Sequence, residues 1–99
     1  MNYYAIRVNY TYDPRFNGTP SPKNFTEVFD IECHAPDSPL MLRGICRQAV
    51  NWIDGQEKWC RDRQDVPGFS PTFQITTITL GGRRVSRGEL DRMALGGWW

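Results

Sequence analysis

Asp30, Glu32 and His34 stand at every second position of the stretch FTEVFDIECH. Alternate side chains of an extended strand share a face, so these three would form a row of two carboxylates and one imidazole. Such a row suits a divalent ion or acid–base work. It equally suits the wet side of an antiparallel sheet, which is normally polar. Arg7, on an adjacent strand, could pair with one of the carboxylates across the sheet.

The other chemically suggestive residues are cysteines. Cys33 and His34 are sequence neighbours, but neighbours on a strand point to opposite faces and cannot act as thiolate and base. A zinc set of Cys33, His34, Cys46 and Cys60 fails on distance. If Cys46 and Cys60 share one helix, their fourteen-residue separation spans ~21 Å, far beyond a common ion. The chain also lacks a phosphate loop ending in Lys-Ser/Thr, a G-x-G-x-x-G turn and a G-x-S-x-G elbow. With a single histidine, the expectation is a protein with no catalytic residues, no bound metal and no cofactor.

The elements that would carry these residues follow from periodicity. In YYAIRVNYTY, Tyr4, Ile6, Val8, Tyr10 and Tyr12 fall on one face and Tyr3, Ala5, Arg7, Asn9 and Thr11 on the other, which predicts a strand with one apolar side. The segment from 13 to 24, dense in Pro, Gly and Asn, predicts a long hairpin loop and a candidate binding loop. A second strand over 25–34 places Phe25, Phe29, Ile31 and Cys33 on one face, interrupted by Glu27. Helical spacing then takes over. Ser38-Pro39 is a good N-cap and first-turn pair, and Leu42, Ile45, Cys46, Ala49, Ile53 and Cys60 make one stripe flanked by Trp52 and Trp59. The stripe keeps its phase across Gly55, which predicts one long helix, bent at most.

TFQITTITL predicts a third strand whose apolar phase changes, implying a bulge near Thr76-Thr77. Gly81-Gly82 suits a primed turn into a short return strand at 83–85. Ser86-x-x-Glu89 is a capping box, with Val85 and Leu90 at staple spacing. The last helix should run to about Leu95, with Gly96 just beyond it. The predicted fold is a small α+β domain over residues 1–95: an antiparallel sheet of three to four strands on one long helix, plus a short C-terminal helix, in β-β-α-β-α order. Residues 96–99, Gly-Gly-Trp-Trp, are expected to form a flexible tail.

Bulk properties narrow the function. Aromatic residues make up 13% of the chain, too many for a disordered segment. No basic-then-apolar leader and no 18-residue apolar run occur, so the expected setting is the cytoplasm, with three reduced cysteines and no membrane. The net charge of +1 hides a tilt: residues 41–99 hold nine basic and six acidic side chains, against three and five in 1–40. Arg83, Arg84, Arg87 and Arg92 cluster around the last helix. Arg43 and Arg47 add to them, since Asp54 pairs by i,i+4 spacing with Lys58, and Glu57 with Arg61. Trp98 and Trp99 complete a set rich in the residue types that dominate interface energetics.

The leading expectation is a non-enzymatic module that binds another intracellular protein or protein complex through Arg43, Arg47, Arg83, Arg84, Arg87, Arg92, Trp98 and Trp99. Accessory factors of phages and mobile elements, including inhibitors of host nuclease, recombination or CRISPR-type defence complexes, have this size and this lack of catalytic groups. Nucleic-acid binding, with arginines on phosphates and aromatics on bases, is the second expectation. A metal-dependent enzyme built on Asp30, Glu32 and His34 is the third.

Overall fold

Ile6 and Val8 are wholly buried while Arg7 between them is exposed, as alternation along an extended chain requires. The computed structural model describes residues 2–33 and 39–95, with side chains for 5–30 and 42–95. Ile6 and Val8 belong to β1 (Asn2–Asp13), which is followed by β2 (Lys23–Cys33), α1 (Pro39–Asp62), β3 (Thr72–Leu80), β4 (Arg83–Val85) and α2 (Arg87–Leu95). The four strands form one antiparallel sheet in the order β2-β1-β3-β4. The short return strand is present, so the element order is β-β-α-β-β-α.

Local chemistry accounts for each junction. The register of β1 on β3 shifts between Asn9 and Tyr10, leaving Thr76 without a strand partner. This is the bulge that the apolar phase change demanded. Thr76 fills the gap by donating from Oγ1 to the Asn9 carbonyl at 2.9 Å. Gly81 and Gly82 turn β3 into β4 with φ of 58° and 83°, values that side chains with a Cβ rarely tolerate and that a primed turn needs. The capping box closes in both directions: the Glu89 amide donates to Ser86 Oγ at 3.0 Å, and the Ser86 amide to Glu89 Oε1 at 3.3 Å.

Both helices pack on one face of the sheet. Ile45, Cys46, Ala49 and Ile53 of α1 and Leu90, Met93 and Ala94 of α2 share a core with Ile6, Val8, Ile78 and Val85. The helix runs unbroken through Gly55. On the opposite face, Asn9 joins three strands: it accepts from Thr26 Oγ1 at 2.6 Å and donates to Thr77 Oγ1 at 2.7 Å.

The loop between β1 and β2 is fastened at both ends. Asp13 is buried, and its Oδ1 accepts the backbone amides of Arg15 and Ser21, each at 2.9 Å. Phe16 bridges to Phe69 and stacks on it at 5.5 Å, and the Asn17 amide donates to the Gly68 carbonyl at 3.0 Å. Burial of Asp13 opposes its charge, but the amides of Ser21 and Arg15 and the Arg15 guanidinium together outweigh it. Its carboxyl therefore sits below the ordinary value.

Two predictions come from this framework. Because the folded state lowers the Asp13 pKa, its stabilisation is present above the ordinary carboxylate range and is lost as pH falls through the folded value. Asp13→Asn should melt lower than the parent at neutral pH and show a shallower decline in Tm on acidification. Arg87 of α2 meets three carboxylates, Asp54, Glu57 and Asp91. Arg87→Gln leaves them facing one another and should cost about 1–2 kcal/mol in urea unfolding, less at high salt. Arg87→Lys should fall between, since an ammonium keeps the charge but not the fork.

Candidate functional site

The buried stripe of α1 divides its remaining surface into two flanks, and each flank borders a depression. Between α1 and α2 lies a cleft of about 570 Å³, walled by Arg43, Arg47, Asn51, Val50, Ala94 and Leu95, with Arg87, Asp54 and Asp91 at one end. Arg87 has all three guanidinium nitrogens engaged: Nε with Asp91 at 3.1 Å, Nη1 with Glu57 at 3.1 Å and Nη2 with Asp54. The helix-internal pairs expected of Asp54 and Glu57 thus give way to a cross-helix cluster, because α2 brings a guanidinium within reach of both. The three carboxylates outweigh burial and raise the Arg87 pKa. This arginine, expected at the contact surface, locks α2 to α1.

Arg43 and Arg47 are different. They stand one helical turn apart with no carboxylate partner among the described residues, and Arg43 Nε is buried without a hydrogen-bond partner. Like charges at this spacing disfavour the helix, and α1 has no acidic residue in its first turn to offset them. Leu95, at the cleft wall, is 79% exposed.

The other arginines are dispersed. Arg83 faces Glu89 at 3.8 Å and lines a small depression with Arg92. Arg84 is exposed and lies opposite Thr79, whose other strand neighbour is Arg7. The structure therefore brings together Arg43, Arg47 and Arg87 in one cleft, Arg83 and Arg92 in another, and leaves Arg84 on the sheet. Trp98, Trp99 and the rest of the 96–99 tail lie outside the described residues, as does the proposed N-cap Ser38.

Of the strand row, Asp30 lies opposite Ala5, and Arg7 lies opposite Val28, so an Arg7–Asp30 contact would be diagonal. The Glu32 side chain and His34 lie outside the described residues. Among the described residues no three Asp, Glu, His or Cys side chains gather as a metal site. Cys46 and Cys60 occupy one continuous helix and are both buried free thiols. Burial pushes Cys46 up to about 11 and raises Cys60, so both favour the protonated thiol.

The second depression was not anticipated. The periodicity reads Trp52 and Trp59 as borders of the apolar stripe, yet they line a groove of about 500 Å³ on the sheet-facing flank of α1. Tyr10, Tyr12 and Phe25 form its opposite wall. Tyr10 meets Trp52 edge-on at 5.1 Å and stacks on Phe25 at 5.5 Å; Tyr12 meets Trp59 at 6.2 Å. These are two aromatic rungs with Gly55 and Gln56 between them. A Cβ at Gly55 would touch nothing within 4 Å, so the missing side chain leaves the groove floor open. Phe25 and Trp59 are 43% and 37% exposed, and Arg63 stacks over the Trp59 ring at 4.3 Å. Burial, reinforced at Tyr10 by Glu27 and at Tyr12 by Cys60, raises both phenol pKa values. The hydroxyls keep their protons and remain donors. The signal in the sequence was the seven-residue spacing of two tryptophans around a Gly-Gln pair, opposite two tyrosines on one strand face.

The chain matches no protein-family model, no curated protein and no solved structure. No helix among the described residues is long and apolar enough to cross a membrane.

The thiol geometry makes a direct prediction. In the native protein Cys46 and Cys60 should resist alkylation by iodoacetamide at pH 8, and both should label promptly in denaturant. Mass spectrometry of the digested protein reads each site separately.

Proposed function

We propose that this chain is a non-enzymatic module that binds another protein, and that the cleft between α1 and α2 receives an acidic segment of that partner. One observation carries the reading: Arg43 and Arg47 line the cleft one helical turn apart and have no ion-pair partner among the described residues. A guanidinium in a cleft with no carboxylate of its own can take one from a binding partner. Guanidinium–carboxylate pairing is directional and strong. The wall of Val50, Ala94 and exposed Leu95 suits an apolar side chain next to the acidic one. Three arginines and two aspartates line the cleft, so it is only weakly cationic. That balance favours one or two carboxylates over a continuous phosphate backbone. Occluding a partner's surface needs no bond chemistry, which is how an inhibitor of a nuclease, recombination or CRISPR-type complex would act.

The test is fluorescence anisotropy with two labelled probes: a peptide of alternating Glu and Leu, and a single-stranded oligonucleotide. The peptide should bind, and Arg43→Gln with Arg47→Gln should weaken it by about tenfold or more, with the fold intact by circular dichroism. Tighter binding of the oligonucleotide, with a steep loss of affinity as salt rises, would replace this reading with nucleic-acid binding.

A further inference from the structure

The aromatic groove lies on the other flank of α1 from the arginine cleft and is unexplained by it. We propose that this groove is a second binding site, and that it takes a proline-rich segment of another protein in the polyproline II conformation.

Three observations lead there. The first is the spacing of the rungs. Trp52 and Trp59 are seven residues apart on an unbroken helix, an axial separation of ~10.5 Å. A polyproline II chain repeats its side-chain direction every three residues, or ~9.3 Å. Two prolines at that repeat would each meet one rung, Tyr10 with Trp52 and Tyr12 with Trp59. The open floor at Gly55 leaves room for the turn of chain between them.

Charge and hydrogen-bond character form the second observation. The groove's lining side chains are uncharged at neutral pH, and the charges beside them, the Arg63 guanidinium over Trp59 and the Glu27 carboxylate near Tyr10, are of opposite sign, so the lining matches an uncharged segment. The lining residues carry donors in two phenol hydroxyls, two indole N–H groups and the Gln56 amide, with acceptors in the hydroxyls and the Gln56 carbonyl. The hydroxyls and indoles have no hydrogen-bond partner among the described residues, and none of these atoms is buried and orphaned. They are therefore available at the surface. A proline-rich chain is the complement: its carbonyls accept, and proline has no N–H to satisfy.

The third is rigidity. The rings are held by contacts beneath them, with Tyr10 and Trp52 both packed on Phe73 at 5.1 and 5.7 Å, and Trp59 against Phe69 at 5.8 Å. A preformed aromatic wall facing a preformed extended ligand loses little conformational entropy on association.

The experiment uses the full chain labelled with ¹⁵N and two uncharged, end-blocked peptides, decaproline and a Gly-Ser decamer. Decaproline should move the indole N–H resonances of Trp52 and Trp59 saturably, and the Gly-Ser peptide should leave them in place. Trp59→Ala and Gly55→Leu should each weaken decaproline binding by about tenfold or more. Gly55→Leu replaces a poor helix former with a good one, so it should melt no lower than the parent, and its loss of binding reports a filled groove. The Arg43→Gln, Arg47→Gln variant should bind decaproline as the parent does, which separates this site from the arginine cleft. Absence of a saturable shift at about 1 mM decaproline, shifts confined to other residues, an equal response to the Gly-Ser peptide, or normal binding by Gly55→Leu would each overturn the proposal.

Discussion

Ile45, Ala49 and Ile53 of α1 are removed from water by Ile6 and Val8 of β1 and by Ile78 of β3, and the rest of the molecule is arranged around that contact. Each fully buried aliphatic side chain contributes roughly 1.5–3 kcal/mol, so this small set outweighs any exposed ion pair in the chain. It also fixes the rotation of a 24-residue helix about its own axis. Once the stripe faces the sheet, one flank must look toward β4 and α2 and the other toward the ends of β1 and β2. The arginine cleft and the aromatic groove are these two flanks.

The arginines illustrate how one residue type serves two purposes. Arg87 is ringed by Asp54, Glu57 and Asp91 and acts as a clamp between helices, where a planar fork can address several carboxylates at once. Arg43 and Arg47, higher on the same cleft, have no such ring. Among the described residues the cleft's two aspartates, Asp54 and Asp91, are engaged by Arg87 rather than by Arg43 or Arg47. Their position in a cleft, with an apolar wall beside them, is the basis of the proposed acidic-segment site.

The two faces of the sheet divide labour as sharply. The helix-covered face is aliphatic in the middle and aromatic toward the loop end, where Tyr10, Phe25, Phe29, Trp52 and Phe73 interlock. The open face is laced by hydroxyl–amide bonds running Thr26 to Asn9 to Thr77 and Thr11 to Asn24. Those bonds tie β2, β1 and β3 together through side chains as well as through the backbone ladder.

The amino-acid sequence alone determined the elements: alternation in β1, the stripe of α1, the bulge at Thr76, the Gly81-Gly82 turn and the capping box of α2. Each depends on residues close in the chain, and the local physics of strand pleat, helix turn and end-capping reads them directly. It could also exclude Cys46 and Cys60 as co-ligands, because distance along one helix is a local quantity. What only the tertiary structure decided was neighbourhood. Arg87 read as a contact arginine offset at most by its own helix until α2 came to rest beside Asp54 and Glu57, and Trp52 and Trp59 read as core borders until Tyr10 and Tyr12 came into ring contact with them. Those pairings join residues thirty to more than forty positions apart. Periodicity sets which face a side chain occupies, but chain folding sets what stands opposite it.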